Sequence, residues 1–286
     1  MKIAPRALII LAVLSAFSTA PSGHPPKKHL LVIGEEKGYR HDSVSHAMAT
    51  IERLGRETGL WDTTLRTDTE VLTKKKLEYN AQNLNDFDAV LFFTGGDLEM
   101  SAQQKADFLS FIHEEGKGFI GVHSAAITFV DWPEFVEMVG GTYDEHPWTT
   151  FDAPILVEDP GFPGMQQFPH SFTLRDEIYQ MKDYSRDKVR VLMRLDVSKL
   201  DMKNKNVHRT DGDFAVTWAK MYGNVRQRAR LLHDIRARGS ELGQTGVPTN
   251  DYRGHQMGDG VGKCRTDIPS AARKLAWRQS KTARDH

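Results

Sequence analysis

The chain has 286 residues, 39% of them hydrophobic, and its 38 Lys and Arg balance its 38 Asp and Glu. That length can bury a substantial core, and the balance describes a soluble globular protein with no general electrostatic pull toward nucleic acid. The single cysteine, Cys264, excludes both an intramolecular disulfide framework and a four-cysteine zinc site.

Residues 1–20 stand apart. Lys2 and Arg6 precede an apolar run over 7–17, and small residues end in Ser18, Thr19 and Ala20. This run of eleven residues falls short of the roughly 20 that a membrane-spanning helix needs. The segment therefore reads as a secretory signal peptide, followed by a linker over 21–28. It predicts export to the periplasm or beyond, with no stable membrane anchor after cleavage.

From His29 onward, short apolar runs alternate with amphipathic stretches, which predicts an α/β fold: an open, mostly parallel, flavodoxin-like sheet with helices on both faces. Residues 30–33 read as the first strand. A polar loop with Gly38, Tyr39, Arg40 and His41 follows, then a helix over 44–57 capped by Asp42 or Ser43. Strands are predicted at 61–65 and 89–93, the second closed by Thr94, Gly95 and Gly96. Ser101 and Gln104 make a capping box for a helix whose apolar face holds Phe108, Leu109, Phe111 and Ile112, with Gly116 as its stop. Residues 119–122 read as a further buried strand and 132–139 as a short helix; later strands fall at 155–157, 172–179, 189–195 and 214–218.

After Asn224 the apolar periodicity vanishes. Residues 225–286 hold thirteen Lys or Arg against six Asp or Glu, a composition that predicts a basic tail unable to fold by itself. The domain reading is therefore 1–20 signal peptide, 21–28 linker, 29–224 α/β domain and 225–286 tail.

Open α/β sheets bind ligands beyond the carboxyl ends of their strands, at the point where strand order reverses. If the first and third strands are neighbours, His41, Asp97 and His123 converge there. His123 ends the strand of Gly118-Phe-Ile-Gly-Val-His-Ser-Ala125 at a sharp turn where related architectures carry a Ser or Cys nucleophile. Imidazole there points instead to acid–base work, ligand binding or metal ligation. In this reading His123 is the acid or base, and His41 and Asp97 orient or polarise it. Arg40, Gly95 and Gly96 contact substrate, the glycines through amides left free by a tight turn.

A second cluster, Asp144-Glu-His-Pro-Trp148, offers His146 and Trp148 to a sugar face, or else is a Pro-stiffened loop with Trp148 tucked into the core. His170, Asp176, Glu177 and Tyr179 form a third polar set in a strand-like region, where alternation sends about half of them to solvent. Neutral imidazoles of His41, His123 and His146 with one carboxylate are a donor set for zinc or a similar divalent metal, although no close-spaced ligand motif is present. Neither a dinucleotide fingerprint nor a phosphate-cradling loop follows any strand, so no nucleotide cofactor is expected.

Six segments carry a resemblance: Gly38-Tyr-Arg-His-Asp-Ser43, Val90-Leu-Phe-Phe-Thr-Gly-Gly96, Gly118-Phe-Ile-Gly-Val-His-Ser-Ala125, Gly140-Gly-Thr-Tyr-Asp-Glu-His-Pro-Trp148, Asp176-Glu-Ile-Tyr179 and Phe214-Ala-Val-Thr-Trp-Ala219. In this order, over about residues 28–223, the chain resembles the trehalose-utilisation, or ThuA-like, family, whose fold is similar to class I glutamine amidotransferases. The resemblance implies carbohydrate catabolism, including keto-disaccharide derivatives, and a small sugar-derived substrate. With histidine at the nucleophile turn, it does not imply glutamine hydrolysis.

The resemblance stops at Asn224. Family members continue with a strand like Gly-Arg-Val-Phe-Tyr-Thr-Thr-Phe-Gly-His and later a final helix. Reading the codons of residues 229–237 and 253–261 one base later permits Arg-Val-Phe-Tyr-Thr-Thr-Phe-Gly-His and Glu-Ala-Ile-Lys-Trp-Ala-Met-Gly-Leu. A one-base slip between about Asn224 and Arg228 is the expectation, leaving the fold without its normal terminal strand and helix. Beside an exported enzyme, the sequence keeps open a non-catalytic carbohydrate-binding module and, from the tail alone, a partner of anionic polymers.

Overall fold

A computed structural model of the protein describes residues 26–223. The expectations for residues 1–20 and 225–286 lie outside the described residues. The described chain divides into two compact units, one of residues 26–143, 182–189 and 220–223, the other of 144–181 and 190–219.

The first unit is built on four parallel strands, β1 (Lys28–Ile33), β2 (Trp61–Arg66), β3 (Ala89–Phe92) and β4 (Gly118–Gly121), in the order β2-β1-β3-β4. β1 therefore lies beside β3, with Leu31 opposite Val90 and Ile33 opposite Phe92. The central strands are continuously apolar because both of their faces are covered. On one face Leu31, Ile33, Val90 and Phe92 pack against Phe108 and Phe111 of α2 (Ala102–His113) and Phe135 of α3 (Pro133–Val139). On the other, Leu30, Val32 and Leu91 meet Met48 of α1 (Ser43–Thr58).

The helix ends follow from local chemistry. Ser101 and Gln104 form the predicted capping box of α2. Asp42 occupies the N-cap of α1, but its side chain makes no capping bond. The Val44 N–H is instead taken by the His41 carbonyl at 3.2 Å, which ties the loop before the helix to its first turn.

The expectation that residues 119–122 form a buried strand needs correction. β4 is the outermost strand of its sheet among the described residues, and Ile120 is 43% exposed. A short apolar run marks a strand but does not say how many neighbours it has.

The later strands do not extend this sheet. β5 (Thr142–Glu145) and β8 (Gln180–Lys182) are short strands where the chain passes between units, and neither was anticipated. β6 (Thr150–Val157), β7 (Ser171–Glu177), β9 (Arg190–Leu195) and β10 (Ala215–Ala219) form an antiparallel sheet in the order β10-β9-β6-β7. Ala153, Ile155 and Val157 alternate inward along β6 and pack with Met193, Leu195 and Phe214.

Candidate functional site

The site of the first unit begins where β1 runs out. Glu36 forms an isolated parallel bridge with Gly95, so the neighbouring chains stay together past the end of β1 and β3. The Gly95 N–H donates to the Glu35 carbonyl at 3.2 Å, and the Gly96 N–H to that of Ile127 at 3.1 Å. This corrects the expectation of free glycine amides: both are consumed by backbone. Glycine is nevertheless required at 96, where φ is +81° and a Cβ would lie 2.5 Å from the Lys37 carbonyl oxygen.

The Glu36 carboxylate is 4% exposed. Its Oε2 accepts from the backbone N–H of His41 at 2.6 Å, and its Oε1 lies 2.6 Å from His41 Nδ1 and accepts from the buried Ser124 hydroxyl at 2.9 Å. A carboxylate accepts only, so the His41 Nδ1 carries the hydrogen, and in the neutral ring Nε2 is the basic nitrogen. The His41 ring itself is 15% exposed and is flanked by Tyr39 at 4.8 Å between centroids.

His123 follows β4 at the start of a short 3-10 turn (His123–Ile127) and has φ +45°. A non-glycine residue in that region is strained, and such strain collects at ligand-handling turns. Val122, still extended, donates its N–H to the Phe92 carbonyl at 2.9 Å, so the turn begins directly off the sheet. The bend sets the His123 ring edge-on to that of His41, 4.9 Å between centroids at 85°. Phe93 packs against both rings at 6.1 Å.

Two of the three predicted catalytic groups thus share one place. Asp97 is exposed, and its carboxylate makes no hydrogen bond or ion pair among the described residues. Arg40 is likewise exposed. Glu36 and Ser124 were missed, though a Glu35-Glu36 pair directly after an apolar strand and a serine beside His123 were visible signals.

The second unit holds the other predicted residues. His146 is partly exposed, with Nδ1 3.5 Å from Glu145 and Nε2 3.7 Å from Glu177. Trp148 packs on Phe151 and Phe214 and donates its indole N–H to the Asp201 carbonyl at 3.2 Å. Its ring is partly buried, packed from the side of the second unit's core. Asp144 accepts from the side-chain amide of fully buried Gln180 at 2.7 Å and contacts His208 Nδ1 at 2.8 Å. His170 is exposed. The Asp176 carboxyl is held above the usual range by desolvation, which the Glu177 N–H only partly offsets.

Residues 29–228 match the family described as ThuA, trehalose utilisation. Among solved structures, a putative ThuA-like protein from Bacteroides uniformis is similar at 19% identity and a TM-score of 0.51, covering 74% of this chain and 92% of that one. Another from Parabacteroides merdae is similar at 17% identity and a TM-score of 0.52, covering 69% and 76%. A putative GMP synthase protein from Thermoplasma acidophilum is similar at 13% identity and a TM-score of 0.38, covering 77% and 99%. No curated protein matches the sequence. A parallel sheet in the order β2-β1-β3-β4 ending in a histidine turn, together with a family match over most of the described residues, places the chain in the ThuA, trehalose utilisation, family.

Proposed function

We propose that this chain is an exported enzyme of carbohydrate catabolism that acts on a disaccharide or keto-sugar derivative through imidazole chemistry, acid–base or metal-assisted, at His41 and His123. One observation carries the reading: a strained turn faces His123 against a second imidazole whose Nδ1 is held by a buried carboxylate. That arrangement directs the basic nitrogen of His41 away from Glu36. Export rests on the charged, apolar and small-residue pattern of residues 1–20.

The same geometry disfavours acyl transfer through a covalent intermediate. The turn carries histidine, and the adjacent Ser124 hydroxyl is fully buried and donates to Glu36, so it is not presented as a nucleophile. The test pairs calorimetry with a product assay on the full chain, using trehalose and keto-disaccharides. Conversion that disappears in His123→Ala supports the enzyme. Binding without conversion identifies a carbohydrate-binding module instead.

A further inference from the structure

We propose that His41 and His123 together hold a divalent transition-metal ion of the zinc class, and that this ion is the centre that meets the oxygens of the substrate. The inference rests on the reading of this pair as the reacting site and names what it would hold.

Three independent features point the same way. First, the spacing fits: each ring offers one nitrogen, and these lie within 4.8 Å of each other. With Zn–N bonds of about 2.0–2.1 Å and a tetrahedral angle, two imidazoles on one ion place their ring centres about 5 Å apart. The observed separation is 4.9 Å.

Second, the support is of the kind metal-binding histidines have. A ligating imidazole commonly donates its other N–H to a carboxylate, which sets the tautomer and strengthens the donor. His41 Nδ1 stands 2.6 Å from Glu36, and Ser124 and the His41 amide hold that carboxylate from other directions. A general base needs only a partner; here a carboxylate 4% exposed is clamped by three donors, which fixes the ring in one orientation.

Third, the other ligand sits on a stiff support. His123 occupies a left-handed backbone position at the end of a strand, a strain that persists only where the surroundings impose it. Imidazole donors suit zinc and its neighbours rather than magnesium or calcium. Two protein ligands in this unit leave positions for oxygen, and adjacent carbonyl and hydroxyl oxygens, as on a keto-sugar, would chelate through them.

The test uses the full chain, stripped with chelator, titrated with zinc chloride by calorimetry and with cobalt(II) by visible absorption. One ion per chain is expected, with a cobalt spectrum of low-symmetry nitrogen–oxygen coordination. His41→Gln and His123→Gln should each weaken binding at least tenfold, and Glu36→Gln by about 10–100-fold; His170→Gln, on an exposed loop, should leave it unchanged. Absence of binding, or binding equally tight in both His41→Gln and His123→Gln, overturns the proposal. Sugar conversion by chelator-treated protein that is lost in His123→Ala would also overturn it while leaving the acid–base reading intact. Metal binding with the expected variant pattern but no sugar conversion would support the ion and remove the proposed substrate.

Discussion

Glu36 grips His41 twice, through the backbone N–H and through Nδ1, both at 2.6 Å, so one carboxylate sets both the path of the loop and the orientation of the ring it carries. Because Ser124 donates to the same carboxylate, the loop after β1 and the turn after β4 are tied through a single buried group.

Removing that group should be costly. Glu36→Ala leaves the Ser124 hydroxyl and the His41 amide without their acceptor, and unfolding in urea should show a loss of about 1–3 kcal/mol. Glu36→Gln keeps the shape and should lose less stability. Equal stability of Glu36→Ala and wild type would show that the clamp is not structural.

The backbone at His123 predicts a stability effect opposite to its effect on activity. His123→Gly accommodates φ +45° without a Cβ, and should be about 1 kcal/mol more stable than His123→Ala at the same position. Both variants should lose turnover of the sugar derivative by about 10²-fold or more if the ring takes part in proton transfer. Comparing the two by thermal unfolding, with a product assay alongside, separates backbone strain from chemistry.

Gly96 and Gly164 both have positive φ, but only Gly96 approaches another backbone atom. Gly96→Ala should therefore destabilise by more than the roughly 1 kcal/mol expected of conformation alone, while Gly164→Ala, with open space around it, should cost no more than that. Similar losses in the two variants, measured by denaturant unfolding, would mean that the loop carrying Lys37 simply moves aside.

Asp107 on α2 supplies a pH-dependent contribution. Burial pushes its carboxyl up, but donation from the Lys74 N–H, the Thr73 hydroxyl and the Gln103 amide outweighs burial and leaves it below the usual range. A depressed folded-state pKa means that the stabilisation is complete above the unfolded-state value and is lost as pH falls through the folded one. Asp107→Asn should lose about 1–3 kcal/mol at neutral pH and show a flatter acid limb than wild type. Parallel acid limbs for the two proteins would contradict this assignment.

The run over 30–33 and the run over 89–93 announce buried parallel strands because residues facing both layers must be apolar, and the order placing β1 beside β3 follows from the expected architecture. The capping box of α2 is equally legible, since Ser101 and Gln104 act within one turn. β4 misled because its apolar residues encode a strand without encoding its neighbours, and Ile120 stands exposed at an edge. Trp148 is open between two roles because an indole suits both a sugar and a core; only the fold brings Phe151 and Phe214 against its ring.

By itself, then, the order of residues determined the parallel α/β scaffold, the turn that carries His123 and the family to which the chain belongs, all of which follow from local pattern and short-range geometry. Only the tertiary structure decided that the His41 ring stands edge-on to that of His123, and that Glu36 and Ser124 hold it there. The reason is physical: Ser124 reaches Glu36 across 88 residues of chain, and a hydrogen bond of 2.9 Å between groups so far apart in sequence has no signature until the sheet has brought the two strand ends together.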